Sequence, residues 1–104
     1  MTFDINHLRQ FTGGDEDLEL EVLELFLENG EKYLALIAAG GDEKSWRTAA
    51  HSLKGSARSI GAIDVERAAA DVEASETPQV AIVAEAFAAC RLAIQNHMVE
   101  VRSN

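Results

Sequence analysis

Three long stretches, residues 15–39, 42–60 and 77–101, carry apolar side chains at helical spacing. None has a proline beyond its first turn, and Pro78 is the one proline of the chain. Such a pattern favours helices over strands from end to end. The breaks between the stretches are short. Thr12-Gly13-Gly14 ends a first short helix over about Asp4 to Phe11. Asp15-Glu16-Asp17 open the second with acids suited to a helix N-terminus, and Gly40-Gly41 stop it after Ala39. The third runs from Asp42-Glu43 to about Ile60, before Gly61. A fourth covers about Val65 to Ser75 with Asp64 as its N-cap. Thr77-Pro78 reads as an N-cap with proline in the first helical position, and the fifth helix runs on to about Val101. Short loops between amphipathic helices make successive helices antiparallel neighbours. The expected fold is all-α: an antiparallel up-down four-helix bundle with a short N-terminal helix, one domain over residues 1–104. That length buries a core without the disulfides or metals that chains below about 40 residues usually need.

The fifth helix has one clean stripe, Val80, Val83, Phe87, Ile94, Met98 and Val101, which is core. The second is apolar more than half way round. Leu18, Val22, Leu25, Phe26, Tyr33, Leu36 and Ile37 make one face, extended by Leu20, Leu23, Leu27 and Leu34. Glu21, Glu24, Glu28 and Glu31 fill the remaining strip. The first helix is expected to lie over the second apolar face; any part left open is a partner surface.

Nine basic and eighteen acidic residues give a net charge of -9, which disfavours nucleic acid and anionic membranes as partners. A single cysteine, Cys90, reads as a small core side chain in a reducing compartment. No stretch approaches the roughly 18 apolar residues of a membrane span, and MTFDINHLRQF does not resemble a signal peptide. A cytoplasmic protein is expected. Residues 1–43 hold eleven acids and two bases, whereas residues 44–104 hold seven of each. Between Lys44 and Arg58 stand four bases, Lys44, Arg47, Lys54 and Arg58, and no acid.

That basic segment is the third helix. With about 100° per residue and His51 set at zero, Arg47, Lys54, Gly55 and Arg58 fall within about 60° of it. Trp46, Ala49, Ala50, Leu53, Ala57 and Ile60 fall on the opposite half. The core therefore lies behind His51, and the ring points to solvent. Gly55 is about 1 kcal/mol worse than alanine in mid-helix, but it leaves one side of the ring open to another backbone. An exposed imidazole is a nucleophile, and cations beside it stabilise a phosphoryl group in transfer. The constellation suits a histidine that takes and gives phosphate. His7 and His97 lie on other segments, with no second His or Cys at metal-ligand spacing, and read as ordinary surface or partly buried residues. No metal site is expected.

The string His51-Ser52-Leu53-Lys54-Gly55-Ser56-Ala57, followed by Gly61-Ala62, resembles the signature of histidine-containing phosphotransfer (HPt) domains. Val65-Glu66-Arg67-Ala68-Ala69-Ala70-Asp71-Val72-Glu73 is similar to that family's next helix. It departs in Ala69, where members often carry cysteine, and in Val65 and Val72, where leucine is common. Arg58-Ser59 also replaces the family's small residue and asparagine, and makes the patch more basic. The resemblance implies a four-helix bundle that relays phosphate in a two-component multistep phosphorelay. His51 would be the phosphoacceptor, taking the group from an aspartate of one response-regulator receiver domain and passing it to another. Lys54 would stabilise the phosphoryl group and Gly55 would give access to His51, with Arg47 and Arg58 as docking cations.

The implied partners are receiver domains, a hybrid histidine kinase, or both. Mg²⁺ is expected on the receiver only, and no cofactor on this chain. Neither kinase activity nor enzymatic turnover of its own is expected, since no glycine-rich nucleotide loop is present. The chain is expected to be monomeric, although the doubly apolar second helix offers a dimer surface. Two alternatives stay open. The His-Ser-Leu-Lys-Gly string also resembles the phosphorylated domain of chemotaxis-type histidine kinases, where ATP on a kinase domain is the donor. The third reading is a helical bundle that binds receivers without accepting phosphate.

Overall fold

A computed structural model describes residues 3–103; positions 1, 2 and 104 of the expected domain lie outside them. The described elements are all helical: α1 (Ile5–Thr12), α2 (Glu16–Ala39), α3 (Glu43–Ser59), α4 (Ile63–Ala74) and α5 (Ala81–Ser103). The first two starts are fixed by side chains. Asp4 accepts from the backbone N–H of Asn6 and His7, and Asp15 accepts from that of Leu18 at 3.1 Å. Each satisfies donors that a helix start leaves unpaired.

Around one core, α2 packs on α3, α3 on α4, α4 on α5, and α5 back on α2. In that ring α3 and α5 stand across the core from one another. The middle is filled by Leu23, Phe26 and Ile37 of α2, Leu53 of α3, Val65 of α4 and Val83, Phe87 and Ile94 of α5, among others. Cys90 is buried with them, as the sequence predicts. Gly30 explains how α2 and α5 approach so closely. A Cβ there would meet Phe87 Cε1 at 2.2 Å, so only glycine fits. Arg91 pairs with Glu31 and Arg102 with Glu24 across the same two helices. No helix among the described residues is long and apolar enough to cross a membrane.

One buried polar cluster ties α1 to this frame. Glu19 is 1% exposed and takes Arg9 Nε at 3.3 Å and His97 Nε2 at 2.6 Å. Phe3 packs its ring edgewise on His97. With eight residues, α1 spans about 12 Å against about 36 Å for α2. It therefore covers only the start of α2; Leu20, Leu27 and Leu34 of the second face are partly buried, while Leu25 and Leu36 of the first face remain exposed.

Two boundaries differ from the sequence reading. The fourth helix begins at Ile63, with Ala62 and not Asp64 at its N-cap. Gly61, at φ +71, turns the chain sharply, and the Ala62 N–H closes back on the Ala57 carbonyl at 2.9 Å. The next helix then follows at once, and Asp64 sits in its first turn, where an acid still meets the positive helix end. The fifth helix begins at Ala81 and not at Thr77-Pro78. The Thr77 carbonyl accepts a local turn bond from Gln79 N–H at 2.9 Å, and helical bonding starts only with Ala84 N–H on the Val80 carbonyl. Pro78 belongs to the connector.

Candidate functional site

The third helix is held by its apolar half: Trp46, Ala49, Ala50, Leu53 and Ala57 are all buried. Three of the five are alanines, small enough for α2 and α4 to pack close on either side. Its opposite half carries His51, whose side chain is 67% exposed. Lys54 and Gly55 flank it on the same side, one turn on. A Cβ built at Gly55 meets nothing within 4 Å. The chain's own packing therefore gives no reason for glycine there, and helix propensity argues against it. What remains is room for something outside the chain.

The residue that organises the site comes from α4. Glu73 places Oε2 2.8 Å from His51 Nδ1 and Oε1 2.6 Å from Lys54 Nζ. The Lys54 ammonium is the main reason its carboxyl is held below the ordinary glutamate value; partial desolvation opposes this, and the His51 hydrogen bond adds to it. An ionised carboxylate only accepts, so His51 Nδ1 carries the hydrogen that it donates. In the neutral ring the lone pair then belongs to Nε2, on the far side from Glu73. The sequence leaves the tautomer of His51 open, and the contact with Glu73 favours the hydrogen on Nδ1.

Each of the three cations around His51 has an acidic partner. Arg47 donates to the backbone carbonyls of Glu73 at 2.7 Å and Ser75 at 2.6 Å, and stacks over Trp46. Its Nε lies 2.8 Å from Glu43 Oε1, an ion pair without hydrogen-bond alignment. Arg47 thus closes the end of α4 and fixes the backbone of Glu73; it is not the free surface cation that the wheel implies. Arg58 donates to Glu66 at 2.7 Å and is 67% exposed. The segment free of acids in sequence is, in space, a face of paired charges.

Beside His51 on the α2 side run two shallow grooves. One is lined by Tyr33, Leu36, Thr48 and Ser52 with Asp42 and Lys44 at one end, the other by Val22, Leu25, Asn29, Ser56 and Ser59. No charged side chain interrupts the second. An imidazole with one free nitrogen, a lysine one turn away, an uncovered glycine and two shallow grooves alongside, one of them uncharged, make a surface that can present a nucleophile to another protein.

Comparison with known proteins bears on the same residues. A family model described as Hpt domain matches residues 21–103. Among solved structures, the histidine phosphotransferase ShpA from Caulobacter crescentus is similar at a TM-score of 0.78 and 29% sequence identity, over 99% of this chain and 98% of that one. No curated protein matches.

Proposed function

This chain belongs to the Hpt domain family and has a histidine phosphotransfer role in a phosphorelay; within that role we propose that His51 is the phosphoacceptor and Glu73 its positioning residue. The observation that carries the proposal is the pair of contacts on the Glu73 carboxylate, which hold Nδ1–H and leave Nε2 as the nucleophile. The scaffold we propose is an antiparallel up-down four-helix bundle with the short α1 attached, supported by the ring of helix contacts.

In the forward step the Nε2 lone pair attacks the phosphorus of an aspartyl phosphate on a receiver domain. The N–P bond forms as the acyl P–O bond breaks, and the electron pair leaves with the aspartate carboxylate. The proton on Nδ1 stays between His51 and Glu73 throughout. Passing the group to a second receiver is the same displacement reversed. Lys54 reaches the phosphoryl oxygens by leaving Glu73 Oε1, and neutralises charge as it shifts between the two bonds. Gly55 lets the receiver backbone approach. Arg58 and the two shallow grooves dock the receiver, and Arg47 acts through the α4 backbone. We assign this chain no kinase activity and place it with its receivers in the cytoplasm.

The test is to incubate the protein with a phosphorylated receiver and locate the group by mass spectrometry. Acid-labile phosphate on His51 is expected, with none formed from ATP alone. Label on His7 or His97 instead would refute the assignment.

A further inference from the structure

α5 carries two apolar seams, and the bundle uses only one. Val83, Phe87, Cys90, Ile94 and Met98 face the core. On the outward side Ile82, Glu85, Ala89, Leu92, Asn96 and Val99 follow one another at alternating three- and four-residue steps, the spacing of a coiled-coil seam. All six are exposed, Ile82 at 73%, Leu92 at 61% and Val99 at 62%. Only Glu85 is charged. The contrast with α2 is plain, where Glu21, Glu24, Glu28 and Glu31 face solvent.

The order of residues along this seam says what covers it. A chain of net charge -9 repels its own copy, so self-association needs a face with almost no charge. A two-fold axis also requires the face to complement itself. Run against its own copy about a centre between residues 90 and 91, the seam does so. Ile82 meets the partner's Val99, Ala89 meets the partner's Leu92 with small against large, and Glu85 meets the partner's Asn96, whose amide can donate to the carboxylate. Run side by side in the same direction, Glu85 would face its own copy instead. Arg91 and Arg102, which flank the seam, are already paired with Glu31 and Glu24 of α2.

We propose that the outward seam of α5, from Ile82 to Val99, is a homodimer interface in which two copies of α5 pack antiparallel. The seam is about 26 Å long. A single helix pair of that length lies at or below the lower edge of standard interfaces, about 1,200 Å², the size class of weak and transient association. Because α3 stands across the core from α5, both copies of His51 stay on outward faces of the assembly.

Sedimentation of the full chain from about 10 μM to about 1 mM tests this. A rise from 11.3 kDa toward twice that mass is expected, with more dimer at higher salt, which screens the net repulsion. Leu92→Glu should return the monomer over the whole range with an unchanged circular dichroism spectrum; Ala89→Glu serves if that variant does not fold. Oxidising a mixture of the Ile82→Cys and Val99→Cys variants should give mainly the 82–99 heterodisulfide. A monomer at every concentration would overturn the proposal and leave the seam to a different protein. A dimer untouched by both glutamates would place the interface elsewhere, and an 82–82 disulfide would overturn the antiparallel arrangement.

Discussion

One carboxylate decides both the orientation of the His51 ring and the resting place of Lys54. The folded value of Glu73 is depressed, chiefly by the Lys54 hydrogen bond. The group therefore adds stability that is fully present above the unfolded glutamate value of about 4.3, and loses it as pH falls through the folded value. At neutral pH the bridge is intact. Carboxyl NMR should find Glu73 titrating below the ordinary glutamate value, and Lys54→Ala should move it up. An unchanged midpoint in that variant would remove Lys54 as the cause. Gly55 gives a second expectation. Gly55→Gln should keep or raise helix stability by up to about 1 kcal/mol while slowing phosphate uptake from a receiver severalfold, because the new side chain fills the approach to His51. Uptake at the parental rate would end the access argument. His51, Lys54, Gly55 and Arg58 were legible in the sequence because they share one helix, where periodicity alone places them. Glu73 was not singled out, because its contact crosses to another helix. The signal for it was present: residues equidistant from the turn at Gly61-Ala62, 58 with 66 and 51 with 73, come together.

Among the elements, the end of α4 carries the most functional weight. Arg47 holds the carbonyls of Glu73 and Ser75, so it sets the height of the Glu73 side chain relative to His51. Hydrogen bonds to a charged group contribute about 1.5–3 kcal/mol each. The Arg47 side chain is one-third open to water, which reduces their sum, so Arg47→Ala is expected to lower unfolding stability by about 2 kcal/mol and to slow phosphate uptake even at saturating receiver. Thermal unfolding and transfer kinetics check both; a loss of receiver affinity alone, with stability intact, would return Arg47 to the docking role that the wheel gives it. The helix boundaries show where sequence reasoning stops. Asp64 and Thr77-Pro78 are both good local caps, yet neither starts a helix. The bond from Ala62 to Ala57 and the turn closed by Gln79 settle those starts, and capping preference alone does not reveal either.

The whole molecule turns a net charge of -9 into a nearly balanced working face. The acid-free run from Lys44 to Arg58 was visible in the sequence, but Glu43 pairs with Arg47 one turn along α3 and the fold brings Glu66 and Glu73 to Arg58 and Lys54. The ring of helices puts that face on α3 and the apolar seam of α5, with Glu85 its one charge, on the opposite side. The all-helical fold and the exposure of His51 were readable because both follow from periodicity; the pairing of Lys54 with Glu73 and of Arg58 with Glu66 was not, because it depends on which helix lies beside which. The most direct measurement of the central claim is a relay in one tube. A phosphorylated receiver, this chain and a second unphosphorylated receiver are mixed, and phosphate on the second is followed in time. The wild-type chain should carry phosphate across. His51→Gln should fold within about 0.5 kcal/mol of the parent, as exposed substitutions do, and carry none. Transfer at the wild-type rate through His51→Gln would contradict the account.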